Sequence, residues 1–174
     1  PVFAGRVGIA DTPARVILQT FSDESLAELR RAFPRLLPTC FLLWLGNEAS
    51  DLKSRSPEDY AAKINYGISR GAVILGPSIG GAPNHYDDLL EPWQGAMIRR
   101  AGMRIHPYSF DMEDQMKEYT GIKAGKPEWN RTDGMFTNRA DETIRFYRNY
   151  LSQGVQRWPE PPEAEKVLDA LGYK

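Results

Sequence analysis

The sequence is poor in the features that define several classes of protein. Its 174 residues include one cysteine and two histidines, so an intrachain disulfide is impossible. No apolar run approaches the roughly 20 residues of a membrane-spanning helix. Lys and Arg total 22 against 23 Asp and Glu, for a net charge of -1. This balance gives no electrostatic basis for binding nucleic acid or an anionic membrane surface.

Catalytic motifs are also scarce. The chain has no HExxH pattern, CxxC pair, nucleophile elbow, P-loop or dinucleotide-binding spacing. Cys40 lies in an apolar run and is expected to be a buried, inert thiol. His85 is expected near a helix start, and His106 is expected to be a hydrogen-bonded core histidine. The glycine-rich segment 78–86 is interpreted as a flexible loop.

Short buried runs alternate with amphipathic stretches along the chain. The runs rich in β-branched and apolar residues predict strands over residues 15–20, 39–45, 72–75, 103–108 and 134–137. Helical spacing and start signals predict five helices. The first spans 22–33, with Ser22 or Asp23 as its cap, and the second begins at Ser56. The third carries Tyr86, Leu89, Trp93 and Met97, and the last two span 139–153 and 163–171.

This alternation predicts an α/β fold with a parallel sheet. Five strand–helix units could form a doubly wound domain or five-eighths of a barrel, which normally needs about 250 residues. We expect a single domain over 1–174, with a polar excursion or lid at 111–131 and a carboxyl-terminal tail at 155–174. The chain begins at Pro1 with no helix start of its own, and we expect further residues to precede it.

Polar and aromatic residues follow the last two predicted strands. In parallel α/β sheets ligands sit at the carboxyl ends of the strands. We therefore expect one rim to be shared by Tyr108, Ser109, Phe110, Thr137 and Asn138. Phe21, Tyr108 and Phe110 are interpreted as walls of a pocket rather than as reacting groups.

Four segments resemble glycerophosphodiester phosphodiesterases of the bacterial periplasmic type. Residues 15–34 (RVILQTFSDESLAELRRAFP) are similar to a strand and acid-capped helix of that family, and 72–77 (AVILGP) to its Gly-Pro strand. Residues 101–110 (AGMRIHPYSF) resemble its His-Pro-Tyr-Thr strand, and 132–147 (TDGMFTNRADETIRFY) its closing strand and helix. The resemblance runs in order from residue 15 to about residue 151.

The resemblance implies a partial TIM (β/α)8 barrel in which the five strands are the last five of eight. The family splits a glycerophosphodiester into an alcohol and glycerol 3-phosphate with a divalent cation, Ca²⁺ or Mg²⁺. Its metal ligands and its acid/base histidines lie on the first three strands and have no counterpart here. This implies no catalytic or metal-binding residue in the chain, which would be inactive alone and would need those strands as partner. It also favours a periplasmic or secreted location.

Five positions carry over from the family to the substrate pocket. Phe21 would form a pocket wall with Gln19 beside it, and Tyr108 would stand on the rim near the glycerol or leaving-group side. Ser109 replaces the more usual threonine and keeps the hydroxyl. Asn138 replaces the usual aspartate, and we expect it to cap the last helix.

Two other hypotheses remain open. The chain could be a stand-alone five-stranded α/β binding or regulatory module, which would fold cooperatively by itself. It could also belong to a phospholipase-D-like toxin or another phosphodiester lyase that shares the closing strands. If the chain is part of a barrel, apolar strand edges at 15–20 and 134–137 would be exposed and would favour aggregation or dimerisation.

Overall fold

Buried apolar runs form parallel strands that helices connect. The computed structural model describes residues 16–33, 37–123, 125, 130–151, 166 and 169–170. Its elements in chain order are β1 (Leu18–Thr20), α1 (Asp23–Ala32), β2 (Thr39–Leu43), α2 (Pro57–Ser69), β3 (Ile74–Pro77), α3 (Pro92–Arg100), β4 (Arg104–Ile105), α4 (Glu113–Tyr119) and α5 (Ala140–Leu151). Among the described helices, none has the length and apolar character that crossing a membrane requires.

The four strands form one sheet in the order β1-β2-β3-β4, and every neighbouring pair is parallel. The predicted α/β class with a parallel sheet is therefore confirmed. The sheet is compatible with part of a barrel, although four strands do not show a closed one. Strand β1 forms one edge of the described sheet, where the predicted strand 15–20 lies.

Strand β2 is buried on both faces, as a central parallel strand should be. Phe41 and Leu43 pack into the core under the helices, whereas Cys40 and Leu42 pack on the opposite face of the sheet. Cys40 is fully buried, and burial raises the pKa of its thiol well above the usual range. The expectation of a buried thiol is confirmed.

Two helices begin at the predicted serine caps. The Ser22 hydroxyl accepts a hydrogen bond from the Ser25 backbone N–H at 3.2 Å. The Ser56 hydroxyl accepts one from the Asp59 N–H at 3.2 Å, and Pro57 occupies the first turn of α2. Each cap satisfies a backbone donor that the helix itself cannot pair.

The third helix is shorter than predicted. It begins at Pro92, so the prediction that the helix carries Tyr86 and Leu89 is wrong. His85 has a positive φ of 52°, which a right-handed helix cannot accommodate. The Glu91 side chain and Gln94 form a capping box that fixes the start just before Pro92. Residues 78–91 therefore form a long loop, which brings Tyr86 to the carboxyl edge of the sheet.

The predicted fifth strand at 134–137 is not a regular strand. It does lie beside β4, because the Gly134 N–H donates to the Ile105 carbonyl at 3.2 Å and the Phe136 N–H donates to the Pro107 carbonyl at 3.0 Å. Pro107 has no N–H with which to return a bond, so the ladder is interrupted there. Regular β4 is shorter than the predicted 103–108 because of a second proline, Pro77 of β3, which has no N–H to donate to the His106 carbonyl.

The excursion at 111–131 contains a helix that belongs to the core. Met116 and Tyr119 of α4 are buried, and the Arg131 N–H donates to the Tyr119 carbonyl at 2.9 Å. Movement of this segment as a lid stays a prediction. The tail 155–174 and the short helix predicted over 163–171 fall almost wholly outside the described residues.

His106 packs through its ring and makes no hydrogen bond from the imidazole within the described residues, contrary to expectation. Its ring meets Phe136 edge-to-face with centroids 5.7 Å apart. A Cβ added at Gly134 would overlap the imidazole, since its distance to the Cδ2 atom would be only 2.8 Å. Burial lowers the pKa of His106, with Asp133 raising it and Arg104 lowering it. The missing side chain at Gly134 is therefore what lets His106 lie between the sheet and this segment.

We predict that Gly134→Ala destabilises the fold by about 1–3 kcal/mol, because the added methyl forces the imidazole or the backbone to move. Urea denaturation measures the loss. Gly95→Ala is the matched control, since a Cβ there would meet its nearest neighbour at an ordinary 3.6 Å. His106→Ala should relieve most of the Gly134→Ala effect in the double variant, and purely additive losses would contradict the steric explanation.

Candidate functional site

A cleft of about 430 Å³ opens at the carboxyl edge of the sheet. Its lining residues come from the ends of strands and from the segments that follow them, and they are Gln19, Phe21, Leu42, Trp44, Tyr86, Tyr108, Ser109, Phe136, Thr137 and Asn138. All five positions expected in the substrate pocket, namely Gln19, Phe21, Tyr108, Ser109 and Asn138, are among them. Their contact with a substrate stays a prediction.

Strand geometry explains why these side chains converge. Residues two apart on a strand share a face, which places Gln19 with Phe21 and Leu42 with Trp44. Tyr108 reaches the same edge because the chain after β4 stays paired with β3 through a bridge between Ser78 and Tyr108. The parallel register thus aligns the end of each strand along the cleft.

Tyr108 forms the floor between the strands and the cleft. Its hydroxyl donates to the Leu43 carbonyl at 2.7 Å, and the residue is 8% exposed. Burial raises the pKa of this phenol well above its usual range, and the Asp51 carboxylate adds a smaller effect in the same direction. The phenol therefore stays protonated at neutral pH and serves as a wall and a hydrogen-bond donor rather than as a base.

Four aromatic rings contact one another in sequence across the cleft. Phe21 meets Tyr108 with ring centroids 5.4 Å apart, Tyr108 meets Tyr86 at 6.0 Å, and Tyr86 meets Trp44 at 5.4 Å. Phe21 and Trp44 are 44% and 38% exposed. Two large apolar side chains so open to solvent on the lining of one cleft indicate a binding surface.

Sequence reasoning missed Trp44, Tyr86 and Phe136. Trp44 follows β2 directly, as Phe21 follows β1, so the same strand-end rule could have found it. Tyr86 was expected in the third helix, which begins only at Pro92. In the opposite direction, Phe110 is wrong as a pocket wall, since it is fully buried against Tyr119 in the core.

A buried carboxylate holds the rim in place. Asp111 accepts hydrogen bonds from the Asn84 side chain at 2.7 Å, from the Asn138 N–H at 3.0 Å and from the Asn138 side chain at 3.1 Å. Burial alone would raise the pKa of Asp111, but these donors, with nearby Arg139, hold it below its usual range. Asp111 thereby ties the loop 78–91 to the segment that precedes α5.

Asn138 does not cap the last helix, which corrects the prediction. Helix α5 begins at Ala140, so Arg139 holds the N-cap position. The Asn138 amide donates to Asp111 instead. An aspartate at this position would face the Asp111 carboxylate with no donor to offer. Asparagine therefore suits position 138, because its side-chain amide donates to the Asp111 carboxylate.

The described residues do not fit a divalent cation. No group of three or more His, Cys, Asp or Glu side chains that could hold a metal ion occurs among them. The lining of the cleft contributes amides, hydroxyls and rings, and Ca²⁺ and Mg²⁺ prefer clustered carboxylates. No step is therefore assigned to a metal in this chain.

A second cleft, of about 470 Å³, lies between the loop at 80–82 and helix α4. Three of its four charged side chains are paired locally: the Tyr119 hydroxyl donates to Asp88 at 2.8 Å, and Lys123 lies 3.3 Å from Glu118. None of the five expected pocket residues lines it. The aromatic cleft at the strand ends is the better candidate, because parallel α/β sheets bind ligands there.

Comparisons with known proteins place the chain by fold. No model of a known protein family matches the sequence, and no curated protein matches it. A solved structure from Silicibacter pomeroyi DSS-3, provisionally named a glycerophosphoryl diester phosphodiesterase, matches with a TM-score of 0.50 and 18% identity. The match covers 82% of this chain and 39% of that one. The likeness shows a shared fold, and the chain spans about two fifths of that protein's length.

We predict that Asn138→Asp destabilises the protein by about 1–3 kcal/mol at pH 7, because a donor to a buried acceptor is replaced by a second carboxylate. The loss should shrink as the pH falls, since one carboxylate of the pair takes up a proton at a raised pKa. The free energy of unfolding of the wild type should instead decrease as the pH falls. Asp111 has a lowered pKa, and its contribution to stability is lost as the pH falls through that value.

Denaturation curves between about pH 2 and 8, a range that extends below the ordinary aspartate pKa of about 3.9, measure both trends. Asn47→Asp supplies the control, because it adds the same charge at an exposed position outside the cleft. A loss at Asn138→Asp that does not change with pH would contradict the paired-carboxylate explanation.

Proposed function

We propose that the chain is the carboxyl-terminal part of a glycerophosphodiester phosphodiesterase barrel, supplying one wall of its substrate cleft. The observation that carries the proposal is the convergence of Gln19, Phe21, Tyr108, Ser109 and Asn138. Sequence resemblance selected these five positions from three separate segments, and all five line one cleft. The structural neighbour, itself named as a phosphodiesterase of this kind, supports the same assignment.

The chain's own residues would bind and orient the substrate. Phe21 and Tyr108 would exclude water from one side of the diester, which strengthens polar interactions inside the cleft. Gln19, Ser109 and Asn138 offer amide and hydroxyl groups suited to the hydroxyls of a glycerol unit. Such contacts hold the scissile bond in position but do not transfer protons.

The chemistry would come from the strands that precede this segment in the family. There, histidines move protons, and a divalent cation, Ca²⁺ or Mg²⁺, polarises the phosphoryl oxygens. Apart from two tyrosines, no residue of the cleft lining is ionisable. This composition suits a wall that binds the substrate. It agrees with a barrel in which this part binds the substrate and the preceding part supplies the reacting groups. A periplasmic or secreted location is proposed on the same resemblance.

The alternative is a binding module without catalysis. The observation in its favour is that the residues lining the cleft include no catalytic group. The two functions differ in what must precede Pro1. A phosphodiesterase requires further strands with catalytic residues, whereas a binding module requires none.

The coding DNA upstream of Pro1 provides the test. We expect an in-frame extension of about 100–200 residues, the remainder of a barrel, carrying His-Arg-Gly and Glu-x-Asp motifs. The protein with that extension should release glycerol 3-phosphate from a glycerophosphodiester in the presence of Ca²⁺ or Mg²⁺, and chelation should abolish the release. A stop codon and a start codon directly before Pro1 would contradict the phosphodiesterase proposal and favour the binding module.

A further inference from the structure

The cleft is aromatic and carries no charged side chain. None of its lining residues is Lys, Arg, His, Asp or Glu, and five of the ten are Phe, Trp or Tyr. A phosphate group would find no counter-charge on this wall. Aromatic faces instead carry negative quadrupole charge, which attracts large and weakly hydrated cations.

The rings meet at steep angles rather than stacking in parallel. Phe21 and Tyr108 lie at 89° to each other, Trp44 and Tyr86 at 72°, and Tyr86 and Tyr108 at 52°. Rings in this arrangement form walls that face in different directions around a common space. A rounded group contacts several such walls at once, whereas a flat sugar ring is best bound by one exposed face.

A carboxylate lies near the Trp44 end of the aromatic cleft. Asp51 follows Trp44 across a turn at Gly46, and a Cβ at Gly46 would lie within 3.2 Å of the Trp44 ring and would overlap the Asp51 carboxylate. Asp51 also acts electrostatically on Tyr108. The negative charge of Asp51 therefore acts on this end of the cleft and favours a cation over an anion there.

From these features we infer that the cleft binds the quaternary ammonium group of a choline-type diester, held among Phe21, Trp44, Tyr86 and Tyr108. The trimethylammonium group contacts the ring faces, and the rest of the head group leads toward the scissile bond. The inference rests on the proposed function and deepens it, because it names the alcohol that leaves. Quaternary ammonium ions are bound by aromatic cages in this way.

Choline chloride is the probe, and ligand-observed NMR of its methyl groups with the full chain is the measurement. The matched ligand is 3,3-dimethyl-1-butanol, which has the same shape but no charge. We expect choline to bind about 2- to 30-fold more tightly than this neutral isostere, the range that a cation–π contribution supports. Equal affinity for the two ligands would overturn the inference.

Variants separate ring electrostatics from apolar contact. Trp44→Leu should weaken choline binding about threefold or more, while leaving the affinity for the neutral isostere nearly unchanged. Trp44→Phe should retain most of the affinity for choline.

Trp93→Leu makes the same change on α3, outside the cleft, and should have no effect on binding. Trp44 is 38% exposed, so its replacement should leave the fold intact, which circular dichroism checks. Equal weakening by Trp44→Leu and Trp93→Leu would overturn the inference.

Two further ligands distinguish failure of this inference from failure of the proposed function. Preference for glycerophosphocholine over glycerophosphoglycerol supports both. Equal binding of the two diesters overturns the ammonium site and leaves the phosphodiester cleft standing. If choline binds but neither diester adds affinity over it, the ammonium site stands and the proposed function fails. Binding of none of these ligands overturns both.

Discussion

The parallel hydrogen-bond ladder from β1 to β4 is the constraint on which the site depends. It pairs Thr20 with Phe41 and Leu43 with Pro77, and a bridge pairs Ser78 with Tyr108. This register aligns the strand ends, so the residues that follow them meet at one edge. A slip of one residue would turn every side chain of a strand to the other face and would dismantle the cleft. Burial of β2 on both faces opposes such a slip.

Much of this arrangement could be predicted from the sequence, and the failures share a physical origin. Buried apolar runs and serine caps predicted the strands and the helix starts, because these signals are local. The regular fifth strand was wrong because one missing N–H, at Pro107, decided the pairing. Tyr86 was assigned to a helix because its spacing fits one, but the positive φ at His85 and the cap before Pro92 prevent it. Tertiary packing decides which of the aromatic rings at the strand ends face the cleft. It turns Phe110 into the core instead.

The cleft and its support have different chemical character. The lining of the cleft offers rings, amides and hydroxyls, while the charged group that organises it, Asp111, is buried behind the rim. Asp111 accepts hydrogen bonds from Asn84 and Asn138 and therefore holds two segments together. A wall of this kind shapes and selects a substrate. It is consistent with the proposed role of the chain as the binding side of a barrel whose reacting groups lie on other strands.

The central claim is that the aromatic cleft at the strand ends is the ligand site. Mapping amide chemical shifts of the chain during titration with glycerophosphocholine tests it most directly. The account predicts concentration-dependent shifts at Gln19, Trp44 and Ser109, with little change at Gly80 and Glu118 in the second cleft. Shifts confined to Gly80 and Glu118, or no saturable shift at the strand ends, would contradict it.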